Sequence, residues 1–234
     1  MVEITSEVLA ALGRLDTPTV CNALELVAPE RRGWGYTVEP LVCARPDLPP
    51  IVGFARTARI RAQHPADDDA AANARRDDYF RYVDDGPKPS VMVLQDLDGD
   101  SRGYGSWWGE VNSAIHLGLG ATGVVTDGSI RDLPDIADGF QLLAGRVGPS
   151  HAFVQMVDFG GPVNVAGMGV VDGDLIHADQ HGAVVIPTAV AADVPAAADL
   201  IARREAVIIE AAKEPGFDHR HLLDARRRAS EIER

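Results

Sequence analysis

Apolar positions along this chain recur at two different periods, and the periods divide it into segments. Residues 5–13 and 17–27 have helical spacing, with Thr17 placed as an N-cap and Pro18 at the first helical position, where a missing N–H costs little. Residues 32–50, rich in Gly and Pro, read as loop with a short strand. Gly53 to Arg61 carries Phe54, Ala55, Thr57, Ala58 and Ile60 in a strand pattern. The polar, acidic and aromatic stretch from His64 to Pro89 reads as an excursion with one helix around Ala70 to Val83. Within it, Asp67-Asp68-Asp69 lacks the spacing of a calcium loop and reads as solvated charge.

The middle of the chain is the most informative. Ser90 to Gln95 is a short apolar run bounded by Pro89 and Asp96, the mark of a buried strand. A Gly-rich loop, Gly99 to Gly109, follows. Glu110 to Leu119 then returns to helical spacing, with Val111, Ala114, Ile115 and Leu119 on one side and Gly118 and Gly120 as its stop. Gly123 to Thr126 predicts a strand, Asp127-Gly128 a turn, and Pro134 the first turn of another helix. From Gly139 onward, short apolar runs separated by Gly, Pro and Asp predict strands and turns, before an Ala-rich helix over 189–213. The order of elements predicts a single compact α/β domain of layered sheets over residues 1–213, with N-terminal helices and a C-terminal helix, followed by a charged tail, 214–234, helical or loose.

Composition narrows the function classes. Asp and Glu outnumber Lys and Arg by 35 to 22, and no basic face is visible, which argues against a nucleic-acid partner. Arg203-Arg204 and Arg226-Arg227-Arg228 are interleaved with acids and read as a solvated helix face. The net negative charge also repels an anionic ligand at long range, so a local cation or a helix N-terminus must hold one. No apolar run is long enough to span a membrane, and the start of the chain lacks a signal-peptide pattern, so a cytoplasmic location is expected. Cys21 and Cys43 form neither a disulfide framework nor a zinc spacing, and Cys21 sits in an apolar pattern that suits a core residue.

Gly118 to Gly123 spells GxGxxG, the dinucleotide fingerprint, but that loop works only between a strand and a following helix. Here helix precedes strand, so a nucleotide or S-adenosylmethionine site is not expected. Trp108-Gly109-Glu110-Val111-Asn112 instead places Gly109 where a loop enters a helix. Free N–H groups of that first turn, near Val111 and Asn112, suit a carboxylate, and Gly109 allows close approach. One helix and one strand later, Thr126 to Asp132 leaves a buried strand. Arg131 offers a planar fork for a carboxylate, and Asp132 a hard oxygen donor of the kind Mg²⁺ or Mn²⁺ takes singly while keeping its waters. An adjacent Arg–Asp pair is equally a common surface ion pair. His177 and His181 have metal-like content in an apparent turn, and His151 suits either a pocket wall or a structural hydrogen bond.

WGEVNSA, GATGVVTDGSIRDLPDI, GFQLLAG and GDLIHADQHGAVVIP together resemble the RraA-like family, over roughly residues 9–210. That family includes class II 4-hydroxy-4-methyl-2-oxoglutarate aldolases, which also decarboxylate oxaloacetate, and regulators of ribonuclease E activity. The resemblance implies a swivelling-domain-like β/β/α fold and a metal-dependent carbon–carbon lyase for a small 2-oxo acid, working as a homotrimer or homohexamer with sites between subunits. It implies Mg²⁺ or Mn²⁺ on Asp132, Arg131 gripping the substrate, Glu110 where the aldolases place an acid, and backbone N–H groups of Val111 and Asn112 on the pyruvyl carboxylate. The aldolases carry apolar residues at both of those positions, so Asn112 departs from the pattern. Glu205 is the candidate for the acid that a neighbouring subunit's C-terminal helix supplies. The alternatives are a non-catalytic regulator of ribonuclease E and a related lyase or hydratase acting on another 2-oxo acid.

Overall fold

The computed structural model describes residues 4–233; Met1–Glu3 and Arg234, counted above in the domain and the tail, lie outside the described residues. Helix α1 (Ser6–Leu12) starts at Thr5, whose hydroxyl accepts the Val8 N–H. Helix α2 (Thr17–Val27) is capped by Asp16, not by the expected Thr17, and Pro18 accordingly sits at the second helical position. The Asp16 carboxylate accepts the Thr19 N–H at 2.8 Å, three residues on, where a short acidic side chain reaches best. Thr17 is engaged elsewhere: its N–H donates to Asp179 Oδ2 at 2.9 Å and its hydroxyl meets His177 Nδ1 at 3.0 Å.

The main sheet has nine strands: β1 (Val42–Cys43), β2 (Ile51–Arg61), β3 (Ser90–Asp96), β4 (Ser106–Trp108), β5 (Ala121–Ile130), β6 (Gln141–Val147), β7 (Gln155–Phe159), β10 (Leu175–Asp179) and β11 (Gly182–Ile186). Its order is β1-β6-β5-β3-β2-β10-β11, with β4 added beside β5 and β7 beside β2. Strands β2, β3, β5 and β6 are parallel neighbours, whereas β1, β7, β10 and β11 are antiparallel additions. A separate hairpin, β8 (Val163–Val165) with β9 (Met168–Val170), forms a second, smaller sheet.

Three layers result, and the alternation of side chains across the sheet explains them. Ile51, Ala55, Val91, Val93, Val125 and Leu143 point to one face, where the β8–β9 hairpin covers them. The opposite face carries the helices. At one end α1, α2 and α5 (Val194–Lys213) pack over Val52, Leu175, Val184 and Ile186. At the other end Tyr79 and Val83 of α3 (Asp69–Asp84) pack with Met92, Leu94, Val124 and Leu142. Strand β2 is therefore buried on both faces. Each such fully buried aliphatic side chain is worth roughly 1.5–3 kcal/mol over its exposed state. The chain is thus a mixed α/β protein with a β/β/α layering.

Several local expectations are corrected. Asp68 is the N-cap of α3, accepting the N–H groups of Ala70 and Ala71, so the acidic run is not merely solvated. Asp127-Gly128 is not a turn but an irregularity inside β5, where the pairing with β6 shifts register between Thr126 and Ser129. Asp132 precedes a single 3₁₀ turn, Leu133–Asp135, rather than a helix. The tail contains helix α6 (His219–Ser230), whose Ala225 and Ala229 are buried, and Arg204 on α5 donates to the Ile232 carbonyl at 3.0 Å. The Arg-rich runs are laced to Asp199, Asp224 and Glu231 by ion pairs along their own helices.

Candidate functional site

The site is assembled by a change of partner along β5. Its first half pairs with β3, ending at Leu94 opposite Thr126. Strand β4 then takes over, placing Ser106 beside Ser129 and Trp108 beside Ile130. The ladder runs one bond further, from the Arg131 N–H to the Trp108 carbonyl at 3.0 Å. Two strand ends therefore leave the sheet side by side. One becomes helix α4 (Glu110–Gly118) through Gly109, and the other becomes Arg131-Asp132.

Buried acids hold this strand change in place. Asp127 accepts the Asp96 N–H at 2.7 Å and pairs with Arg102 at 3.2 Å. Asp96 accepts the Gly103 and Asp98 N–H groups at 2.7 and 2.9 Å, and Asp98 accepts from Ala62 and Gln63. Burial raises the carboxyls of Asp96 and Asp127 above their ordinary value, against these hydrogen bonds and Arg102. The loop between β3 and β4 is thus folded on carboxylates. The sequence offered Asp96 and Asp98 only as QDLDG and Asp127 only as half of an Asp-Gly turn, without a pattern that assigns them this task.

Gly109 is buried and extended, and its missing side chain matters. A Cβ there would lie 2.4 Å from Asp132 Oδ2 and 3.2 Å from Arg131 Cγ. Asp132 takes a left-handed backbone conformation, φ 54° and ψ 39°, which turns its carboxylate into that space. Its Oδ2 lies 3.5 Å from Arg131 Nε and 3.4 Å from the Glu110 nitrogen, both long contacts. Both side chains are about one-third exposed, at 36% and 32%, so the pair is open to a ligand and only loosely self-satisfied. Gly109 supplies no side-chain cap, and beyond the long Glu110–Asp132 contact the N–H groups of Val111 and Asn112 have no acceptor among the described residues, which leaves them for an incoming one.

Arg131, Val111 and Asn112 also line a cleft of about 670 Å³. Trp107 and Ser106 lie along it, α3 forms one wall, and residues 151–155 form another. The Asn112 amide donates to the Trp107 carbonyl at 2.5 Å, so its departure from an apolar residue is explained by holding β4 to α4. His116, wholly buried, fastens α4 to α3. Its Nε2 lies 2.8 Å from the Tyr79 hydroxyl and its Nδ1 2.6 Å from the Asn112 carbonyl. The carbonyl accepts, so Nδ1 carries the proton and Nε2 receives the tyrosine O–H. Burial pushes this imidazole down to about 4.

Among the sequence candidates, Gly109, Arg131 and Asp132 converge, with Glu110, Val111 and Asn112 on the adjoining helix start. Glu205 does not join them within one chain; it is exposed on α5. His177 lies not in a turn but in β10, fully buried, with Nε2 against the Leu12 and Leu15 carbonyls. His181 pairs with Asp179 at 3.0 Å. His151 does line the cleft, and its Nδ1 meets the Ala152 carbonyl at 2.8 Å. Burial pushes the Cys21 thiol up to about 11, which keeps it protonated at neutral pH. Gly118 to Gly123 runs from the end of α4 into β5, the wrong order for a nucleotide loop. What the sequence left out is the α3 wall, with Asn73, Arg76 and Phe80 facing the cleft.

A single carboxylate with free edges suits a hard divalent ion, which keeps several waters and takes few protein ligands. Asp132 packs against Gly109 yet stays about one-third exposed, at 32%, so its carboxylate is reachable from solvent. No group of three or more His, Cys, Asp or Glu with metal-site geometry occurs among the described residues, so a site of Zn²⁺ type with several protein ligands is not built here.

Comparison with known proteins agrees with this architecture. The family described as RraA-like: Aldolase/RraA matches residues 17–185. A solved structure of an uncharacterized protein from Pseudomonas syringae pv. tomato is 27% identical, covers 97% of this chain and 96% of its own, and superposes with a TM-score of 0.72. Streptomyces coelicolor RraAS2, described as an unusual member of the RNase ES inhibitor RraA protein family, shares the fold at 22% identity and a TM-score of 0.67, covering 88% of this chain and 97% of its own. Protein DlpA of Legionella pneumophila is 28% identical over 114 residues; the match takes in 45% of this chain but only 17% of that longer protein.

Proposed function

The chain belongs to the RraA-like family, and from that premise we propose that it is a divalent-metal-dependent lyase cleaving a carbon–carbon bond of a small 2-oxo acid. The family includes aldolase and decarboxylase enzymes as well as inhibitors of ribonuclease E. The observation that carries the enzymatic reading is the Arg131 guanidinium and the partly exposed Asp132 carboxylate brought against the start of α4, an approach that only glycine at position 109 permits. A surface that merely binds a protein needs no such approach.

Asp132 would hold Mg²⁺ or Mn²⁺, and the ion, when bound, supplies Lewis-acid polarisation of the keto oxygen. The chain's own groups do the rest. N–H groups at Val111 and Asn112 receive the substrate carboxylate at the start of α4, where the helix field favours an anion. Arg131 faces the keto oxygen, where charge develops as the C3–C4 bond breaks and its electron pair passes into a pyruvate enolate. In the retro-aldol reaction Glu110, exposed at the helix start, takes the proton of the C4 hydroxyl as C4 becomes a carbonyl. Decarboxylation of oxaloacetate needs no base at that step, so one site serves both. A proton then returns to C3 to give pyruvate. Glu205 belongs to this scheme only from a second copy in a homotrimer or homohexamer; active protein that light scattering finds monomeric would remove it.

The test is pyruvate release from oxaloacetate and from 4-hydroxy-4-methyl-2-oxoglutarate. Release should require Mg²⁺ or Mn²⁺, stop with excess chelator, and disappear in Asp132→Ala. Undiminished release in chelator, or in that variant, rejects the proposal.

A further inference from the structure

The cleft that Arg131 lines is walled in part by one face of α3. Asp69, Ala72, Asn73, Arg76, Asp77 and Phe80 line it at helical spacing, while Tyr79 and Val83 on the other face enter the core. Of the three arginines on this helix, Arg75 donates to the Met156 carbonyl at 3.3 Å and Arg81 pairs with Asp78 at 2.8 Å. Arg76 has no ion pair or side-chain hydrogen bond among the described residues. It and Arg131 are the two arginines lining the cleft. The same lining mixes polar side chains such as Asn73, Asn112 and Gln155 with an apolar set, Val111 and Ile115 from α4 and Phe153 from the facing loop.

A volume of about 670 Å³ is of a size that encloses ligands much larger than a three-carbon acid. A wall carrying Asp69 and Asp77 beside Arg76 is not cationic overall, so it does not gather anions by its field. It can still reward an acidic group that meets the unoccupied guanidinium fork directly. We infer that Arg76 is a specificity residue: it binds a second acidic group, at the far end of a 2-oxo acid whose apolar middle lies along Val111, Ile115 and Phe153. This inference rests on the 2-oxo acid reading of the Arg131 end.

The test is calorimetric titration of Mg²⁺-loaded protein with 2-oxo-octanedioate and with 2-oxo-octanoate, which differ only in the second carboxylate. The native protein should bind the diacid about tenfold or more tightly than the mono-acid. Arg76→Gln should bring the ratio close to one, and Arg76→Lys should restore part of it, since it keeps charge but not the fork. Thermal unfolding without ligand checks that the variants are folded; Arg76 is exposed, so their midpoints should match. A ratio near one in the native protein, or a ratio unchanged by Arg76→Gln, overturns the inference, as does binding of neither acid. A high ratio that survives chelator and falls with Arg76→Gln upholds Arg76 while rejecting the metal, so the two readings fail separately.

Discussion

Replacing Gly109 by alanine isolates the geometry on which the lyase reading depends. The residue's φ of −168° is extended backbone that any residue adopts, so the new methyl costs no backbone strain. Its cost is contact: the Cβ would sit 2.4 Å from Asp132 Oδ2, where ordinary contact begins at 3.4 Å, so the carboxylate must retreat by about 1 Å. Asp132 is about one-third exposed and can swing outward, so the fold should lose little. An overpacking cost of about 1–3 kcal/mol is partly offset by about 0.4–1 kcal/mol from a stiffer unfolded chain. The site should lose on the order of 100-fold in rate, about 2.7 kcal/mol, since a misplacement of about 1 Å at reacting groups costs that much while the protein stays folded. The assay is kcat/KM for Mg²⁺-dependent pyruvate release beside a thermal melt. Gly118→Ala, whose Cβ meets nothing within 4 Å, is the control at the other end of the same helix. If Gly109→Ala kept kcat/KM within about threefold of native with an unchanged melt, the reasoning from this contact would be wrong.

Two further outcomes follow from the supports of the site. His116, held at about 4 by burial, should remain neutral in NMR titrations down to about pH 5; it binds protons in the unfolded chain below about 6.5 but not in the folded one, so its contribution to stability is lost as pH falls from about 6.5 towards 4, to a limit of about 3 kcal/mol. Urea melts across that range should slope less steeply in His116→Gln, whereas Asp96 and Asp127, with raised carboxyls, act in the opposite sense in both proteins; identical slopes would remove His116 from the account. Asp127→Ala leaves the buried Asp96 N–H and Arg102 without their acceptor, and should destabilise by about 1–3 kcal/mol and open the loop between β3 and β4 to limited proteolysis, while Asp127→Asn, which keeps an acceptor, should do so less.

The elements were legible where apolar periodicity was strong and local punctuation unambiguous. Ser90 to Gln95, Glu110 to Leu119 and the strands after Gly139 fall close to β3, α4 and β6 to β11. The WGE and GSIRD segments stood out because glycine, a helix start, an arginine and a carboxylate form a chemical set. Their meeting was implied by the family resemblance and not by the residue pattern, because it depends on β4 replacing β3 beside β5, a pairing between segments about twenty residues apart. Asp127-Gly128 reads as a turn by residue type, yet two parallel neighbours hold it within a strand and the irregularity absorbs the difference. The cap moved from Thr17 to Asp16 for a similar reason: a distant partner, His177, claims the hydroxyl. The α3 wall escaped notice because its cleft face mixes Asp, Asn, Arg and Phe, which resembles an ordinary solvated helix.

Helix α4 shows why such a wall is hard to read. Its apolar positions predicted the buried side, but Val111 is 67% exposed and Ile115 38%, whereas Ser113 and His116 are buried. The inward face is held by directed bonds instead of apolar area. Ser113 Oγ donates to the Glu110 carbonyl at 2.8 Å and accepts the Ala137 N–H at 3.0 Å, while His116 reaches Tyr79. Directed bonds fix a helix in rotation and along its axis more tightly than a sliding apolar stripe, and they leave few buried polar groups unpaired. The outward apolar residues are then free to line the cleft with a rigid backbone behind them. An apolar stripe at helical spacing records which side is dry, and on this helix part of the dry side belongs to whatever the cleft holds.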